Sequence, residues 1–220
     1  MRERLFPQPC VLCQATSEEY TVLCKHCLND LPWHTSKSCM RCGLVANNLI
    51  CGNCIKEPPH FDKTYALFNY TYPTDRLIQH YKYNHALYLS QTFGLLMGEI
   101  ILGKPIDLII PMPLHPLRLQ ERGFNQSLEI AKVVAKFANI PLAPNICQKI
   151  RNTPPQASLK LKDRTKSIKG AFNCIENLSG KRVALIDDVM TTGASLNELA
   201  KMIKINDASE VSCFVLARTL

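Results

Sequence analysis

Two adjacent carboxylates, Asp187 and Asp188, follow the apolar run Val183-Ala-Leu-Ile186 and precede the polar turn Thr191-Thr192-Gly193-Ala194-Ser195. An apolar-periodic segment begins after the turn. The pattern reads as a buried strand that delivers two acids to its C-terminal end, then a turn that opens a helix. The first amides of a helix lack intrahelical partners and lie at the positive end of its dipole, so they suit a phosphate. Thr191, Thr192 and Ser195 add hydroxyls, and Gly193 lets the backbone approach closely. Neighbouring carboxylates accept hydrogen bonds from a vicinal diol or hold a cation. Together these residues describe a pocket for a sugar phosphate. The chain contains no Gly-x-x-x-x-Gly-Lys-Ser/Thr string, since Pro105 follows Gly98–Lys104, which argues against a nucleoside triphosphate P-loop.

A second candidate loop, Pro111-Met-Pro113-Leu114-His115-Pro-Leu-Arg118-Leu-Gln-Glu-Arg122-Gly123-Phe-Asn125-Gln126-Ser127, follows another apolar run, Ile106–Ile110. It carries two arginines four apart and ends at the start of a helix. Guanidinium forks suit a polyphosphate. A third chemistry lies at the N-terminus. Eight of the eleven cysteines form four Cys-x-x-Cys pairs: Cys10/Cys13, Cys24/Cys27, Cys39/Cys42 and Cys51/Cys54. No export signal or apolar run of membrane-spanning length is evident, so the chain is expected to be cytoplasmic and not inserted in a membrane. In that setting paired cysteines point to Zn²⁺ rather than disulfides, and four thiolates make a closed structural site. The short spacers favour Cys10/13/24/27 on one ion and Cys39/42/51/54 on the other, with an interleaved cross-brace as the alternative. Cys147, Cys174 and Cys213 read as small buried hydrophobes.

The elements that must position these residues follow from periodicity. Thr64–Thr71, Ile106–Ile110, Arg182–Ile186 and Val211–Ala217 read as strands, and Leu77–Tyr81, Leu87–Ile101, Phe124–Phe137 and Ala194–Ile205 as helices. Strands alternating with helices imply an α/β fold with a parallel sheet, whose ligands sit at the carboxyl ends of the strands. Residues 1–57 form a small Cys-rich module with too little core to fold without metal, and residues 58–220 the main domain, with Glu57-Pro-Pro-His60 as a stiff boundary. The net charge of +8 is concentrated: residues 145–182 hold nine Lys and Arg against two acids. That surplus implies an anionic partner, whether phosphate, pyrophosphate or nucleic acid.

The string Val183–Ser195 resembles the phosphoribosyl-pyrophosphate (PRPP) motif of type I phosphoribosyltransferases. The whole chain is similar to the ComF (competence protein F) family. The four cysteine pairs, Arg122-Gly-Phe-Asn-Gln126, Pro155-Gln156-Ala-Ser-Leu159, Lys169-Gly-Ala-Phe172, Asp187-Asp-Val-Met-Thr-Thr-Gly193 and the ending Ala217-Arg-Thr-Leu220 carry the likeness. The resemblance implies a type I phosphoribosyltransferase-like sheet preceded by a double zinc ribbon. It makes Asp187 and Asp188 the catalytic pair on the ribose hydroxyls, and Met190, Thr191, Thr192, Gly193, Ala194 and Ser195 the 5′-phosphate loop. Pro113, Leu114, Arg118 and Arg122 would hold pyrophosphate, and Gln156, Arg164 and Lys169 would lie on a flexible lid. Ser167 departs from the family pattern, which has Asn there. The implied reaction is a Mg²⁺-dependent transfer from PRPP to an acceptor that the sequence does not name. The implied role is DNA uptake in natural transformation, with single-stranded DNA and uptake or recombination proteins as partners. The alternative is a DNA-binding factor or scaffold without turnover.

Overall fold

The computed structural model describes residues 8–153 and 167–220. In chain order its elements are α1 (Lys25–Asn29), α2 (Gly52–Lys56), β1 (Lys63–Asn69), α3 (Thr74–Tyr83), α4 (Leu89–Ile101), β2 (Leu108–Pro111) and α5 (Pro116–Arg122). There follow α6 (Gln126–Ala138), β3 (Cys147–Lys149), β4 (Phe172–Cys174), β5 (Arg182–Met190), α7 (Ala194–Ile205) and β6 (Glu210–Arg218). The main sheet is parallel throughout, in the order β1-β6-β5-β2. A short antiparallel ribbon, β3-β4, stands apart from it.

The sheet is apolar on both faces because both are covered. Along β5, Ala184 and Ile186 join one core with α3, α4 and α6, while Val183 and Leu185 join the other with α7 and the β3-β4 ribbon. Helix α7 buries Leu196, Leu199, Ala200 and Ile203, the 3.6-residue stripe expected of a helix laid on a sheet. Helix α6 starts at Asn125, whose side chain accepts from the amides of Ser127 and Leu128, and ends at Asn139 in the left-handed conformation. Both sheet edges are covered, which blocks pairing with other chains. Residues 32–34 run antiparallel along β1, with the amides of His34 and Asn69 bonded to the carbonyls of Leu67 and Pro32 at 2.8 Å each. On the other side the 141–143 segment pairs with Ile109 of β2.

The Cys-rich segment is not a bead on a linker. Val22, Leu23 and Leu31 are buried in the same core as Phe68, Leu89 and Phe93. The amide of Val22 donates to the wholly buried Thr92 hydroxyl at 3.0 Å, and the rings of Trp33 and Phe68 lie 4.8 Å apart. A segment that the sequence describes as metal-dependent therefore also draws stability from the main core.

Three elements differ from the sequence expectation. Strand β5 continues through both acids to Met190 instead of stopping at Ile186, because β6 goes on pairing with it as far as Met190↔Arg218. The arginine-bearing loop contains a helix, α5, begun by Pro116 at its first turn and capped by His115. Cys147 and Cys174 are not separate buried thiols; they are joined by a disulfide across the β3-β4 ribbon, leaving Cys213 as the buried free thiol among the three. Among the described residues no helix is long and apolar enough to cross a membrane.

Helices α4 and α6 approach closely at glycines. A β-carbon on Gly94 would lie 2.4 Å from Val133 Cβ and 3.1 Å from the Ile130 carbonyl oxygen. Gly94→Ala is expected to destabilise the fold by about 2 kcal/mol or more through overpacking, although alanine is the better helix former. Gly52→Ala, with nothing within 4 Å of the added atom, is expected to change stability by less than about 1 kcal/mol. Denaturant midpoints check the pair, and equal midpoints would contradict the close approach.

Candidate functional site

The site originates where two strands part. Strand β2 pairs with β5 only as far as Pro111↔Ile186, and the amide of Met112 makes the last contact, 2.8 Å from the Ile186 carbonyl. Pro113 has no N–H to continue the ladder. From Asp187 onward β5 keeps β6 on one side and faces an open crevice on the other. The two acids satisfy local amides there: Asp187 Oδ1 accepts from the Asp188 amide at 2.9 Å, and Asp188 Oδ1 from the Val189 amide at 2.6 Å.

Neighbouring helices fix the other ends of these carboxylates. Asn125, while capping α6, also donates to the Met112 carbonyl at 3.0 Å, which ties the helix start to the end of β2. That tie sets Ser127 Oγ 3.0 Å from Asp187 Oδ1. Gln126 is buried and holds two further elements. Its side-chain oxygen accepts from Arg122 Nη1 at 3.1 Å, and its carbonyl from the Tyr81 hydroxyl at 3.0 Å. Tyr81 locates the end of α3, and Lys82 Nζ next to it lies 2.9 Å from Asp188 Oδ2, with both side chains largely buried.

The crevice of about 180 Å³ is bordered by Asp187, Asp188, Ser195, Pro113, Leu114, Arg118 and Arg122, together with Lys82, Met112, Gln126, Ser127, Lys149 and Thr153. Four cations thus face two acids. Burial, then the charge of Asp188, pushes the Asp187 carboxyl up to about 7, against the pull of the Asp188 amide, Lys82 and Ser127. Burial opposes the charge of Lys82, but Asp188 and Asp187 outweigh it and hold its pKa above the ordinary lysine value. Lys149 moves the other way: burial lowers its pKa, Arg118 and Arg122 add to the effect, and Asp187 resists it. Surplus positive charge in a partly enclosed crevice favours a polyanion.

Strand β5 passes into α7 through a tight turn. Gly193 adopts φ +77°, a conformation that strains any side chain, and a β-carbon there would lie 2.7 Å from Met190 Cε, which would have to move. Gly193 occupies the N-cap position of α7 and supplies no side-chain cap. The Thr192 hydroxyl accepts from the Ala194 amide at 3.2 Å. Met190 itself is buried and packs into the core below the turn.

The eight N-terminal cysteines form two sequential groups, Cys10/Cys13/Cys24/Cys27 and Cys39/Cys42/Cys51/Cys54, with the sulfurs of each group within 4.8 Å of one another. The interleaved alternative is excluded by this arrangement. Backbone amides point at sulfur, as from Cys51 N to Cys39 Sγ at 3.3 Å and from Cys27 N to Cys24 Sγ at 3.5 Å. Burial opposes ionisation of Cys10 and Cys39, yet surrounding amides prevail and lower both to about 6. Cys27 and Cys54 shift upward, Cys27 chiefly through Cys13 and Cys54 chiefly through burial, with the neighbouring sulfurs adding in each case. Four such groups converge without repulsion only around a cation, so the donor set fits Zn²⁺ in two Cys₄ sites.

Of the residues singled out in the sequence, Asp187, Asp188, Ser195, Pro113, Leu114, Arg118 and Arg122 meet at one crevice. Thr191, Thr192, Gly193 and Ala194 form the turn beside it. Lys169 is exposed, and its carbonyl accepts from Arg151 Nη1 at 2.7 Å. Gln156 and Arg164 lie outside the described residues, as do Lys160, Lys162 and Lys166 of the basic window. Lys82, Gln126, Ser127 and Thr153 are crevice residues that sequence reasoning did not assign. Gln126 and Ser127 close the arginine loop, which was singled out without a role for either; Lys82 gave no signal, because only the packing of α3 brings it to the acids.

Residues 1–57 match the family described as a double zinc ribbon domain, and residues 125–220 the phosphoribosyl transferase domain. Competence protein F of Haemophilus influenzae is 30% identical over 219 residues, covering 95% of this chain and 90% of its own. A DNA utilization protein, YhgH of Salmonella typhi, is 29% identical over 97% of this chain and 98% of its own. Competence protein ComFC of Streptococcus pneumoniae is 25% identical over 89% and 87%, respectively.

Two expectations follow. Metal analysis is expected to find about two zinc ions per chain, falling to about one in Cys10→Ser or Cys39→Ser; a chain that folds with none would contradict the Cys₄ reading. The folded pKa of Asp187 lies above its unfolded value of 3.8. Its contribution to stability is therefore fully present below that value and is lost as pH rises through about 7. Asp187→Asn removes this loss, so the variant is expected to gain about 1–2 kcal/mol on wild type between about pH 5.5 and 8.5. Parallel stability curves would contradict the raised pKa.

Proposed function

The chain belongs to the ComF (competence protein F) family, and we propose that its crevice binds PRPP with Mg²⁺ and serves DNA uptake in natural transformation. One observation carries this reading. The two acids, Ser195 in the first turn of α7 and the two arginines of α5 all border one crevice at the carboxyl end of a parallel sheet, the place where α/β folds take ligands.

In this reading each group has one task. The amides and hydroxyls of 191–195 take the 5′-phosphate at the start of α7. Asp187 and Asp188 accept hydrogen bonds from the ribose diol, with Ser127 and Lys82 holding the carboxylates in place. Arg118, Arg122 and Lys149 face the pyrophosphate. Lid residues Gln156, Arg164 and Lys169 belong to the same proposal. Two carboxylates beside a polyphosphate fit Mg²⁺, which is commonly held by one or two protein carboxylates and the oxygens of its phosphate ligand. When bound, it would neutralise charge developing on departing pyrophosphate. The protein contributes position and electrostatics: cations next to the leaving group, and acids beside a ribosyl group that gains positive charge as the C1′–O bond breaks.

Residues 1–57 are read as the zinc ribbon module and 58–220 as the phosphoribosyltransferase-like unit. Eight thiols gathered as two Cys₄ groups, set against the one disulfide, Cys147–Cys174, support a reducing, cytoplasmic setting. A second reading, in which the crevice cations hold the phosphates of single-stranded DNA without turnover, is favoured by the four-to-two charge balance and by the names of the relatives. It predicts binding that falls steeply with salt.

Calorimetry with PRPP and Mg²⁺ is expected to show binding that weakens at least about tenfold, roughly 1.4 kcal/mol, in the Asp187→Ala/Asp188→Ala double variant. Arg122→Ala is expected to weaken PRPP by a similar factor and ribose 5-phosphate hardly at all. Equal affinity for PRPP in all three proteins would overturn the assignment. Single strands binding as tightly to Arg122→Ala as to wild type would remove the second reading.

A further inference from the structure

Arg218, the last residue of β6, is 3% exposed and has no carboxylate within ion-pair distance among the described residues. A buried cation without an acid is costly unless other groups replace its water. Backbone carbonyls do so here, and they come from two distant places. Nε donates to the carbonyl of Cys42, inside the second zinc knuckle, at 2.8 Å. Nη1 donates to the carbonyls of Met190, at 2.9 Å, and Thr191, at the start of the turn into α7. Further bonds to the Thr219 carbonyl and hydroxyl, at 3.0 and 3.3 Å, fix the guanidinium itself. Zinc bound by four thiolates carries net charge of about −2 and would act as the counter-ion.

This bridge also orients the turn. In a trans peptide the C=O and N–H point in opposite directions. Drawing the carbonyls of Met190 and Thr191 toward the ribbon therefore turns the amides of Thr191 and Thr192 away from it. Those are the first amides of the loop assigned above to the 5′-phosphate.

We propose that Arg218 is a positioning residue that couples the second zinc site, Cys39/Cys42/Cys51/Cys54, to the phosphate-binding turn at 191–195. The proposal rests on the phosphate reading of that turn. Thermodynamic linkage makes the coupling reciprocal: a ligand that needs the ordered turn must tighten the zinc site by the factor that zinc tightens the ligand. The cysteines then serve as more than a staple, because loss of one zinc would loosen the crevice without touching a residue that lines it.

The test uses the zinc-loaded full chain, with ribose 5-phosphate as probe and a colorimetric chelator to follow metal release. Saturating probe is expected to slow release of one of the two zinc ions at least about threefold in wild type. Arg218→Lys keeps the charge but cannot reach both sets of carbonyls. It is expected to keep both zinc ions, bind the probe at least about fivefold more weakly, and show no slowing. Hydrogen exchange is expected to be faster in the variant over 190–195. Unchanged zinc release in wild type with calorimetrically bound probe would overturn the coupling, and that result needs no variant. Equal slowing in Arg218→Lys would overturn the role of the arginine. If the probe fails to bind wild type, the phosphate reading falls; exchange over 190–195 then decides the positioning role, faster in Arg218→Lys supporting it and unchanged rejecting it.

Discussion

Everything in the crevice depends on the parting of β2 from β5 at Ile186. A parallel strand inside a sheet has its amides and carbonyls matched on both sides. Past Ile186, β5 is matched only by β6, and its free side faces the crevice. The departure is set by Pro111-Met-Pro113, whose second proline cannot donate to the ladder. Two carboxylates lie at the first two positions beyond the break, where their own side chains accept the adjacent amides.

A half-matched strand end carrying two acids is unstable in isolation, and the surrounding elements are arranged to hold it. Asn125 ties α6 to Met112, Ser127 meets Asp187, Gln126 gathers Arg122 and Tyr81, and Lys82 neutralises Asp188. Removing one partner of a buried, hydrogen-bonded charge pair costs about 3–5 kcal/mol, because the survivor remains desolvated. On the opposite side of β5, Arg218 holds the turn by its carbonyls and joins it to the zinc ribbon. The site is thus clamped from both sheet faces and from the N-terminal module. A polyanion entering it exchanges water for donors that are already in position.

Much of this was legible in the sequence because local signals govern it. The Cys-x-x-Cys spacing, the unalternated apolar runs of β5 and β6 and the Gly193 turn each report on a few consecutive residues. Features set by distant packing were not legible. Lys82 lies on an ordinary amphipathic helix, and nothing in its neighbours says that α3 ends at Asp188. Arg218 reads as the polar end of a strand until β5 brings Met190 beside it and the fold brings Cys42 to it across most of the chain. The Cys147–Cys174 bond needs the β3-β4 pairing, which two three-residue strands do not announce. The continuation of β5 past its expected end is a tertiary effect as well, since β6 supplies the pairing that local propensity does not.

The most direct test of the central claim is a crystal structure of the zinc-loaded protein with PRPP and Mg²⁺. The account predicts the 5′-phosphate against the backbone of 191–195, the ribose hydroxyls on Asp187 and Asp188, and the pyrophosphate toward Arg118 and Arg122. Ligand density elsewhere on the sheet, or a ribose turned away from both acids, would contradict it.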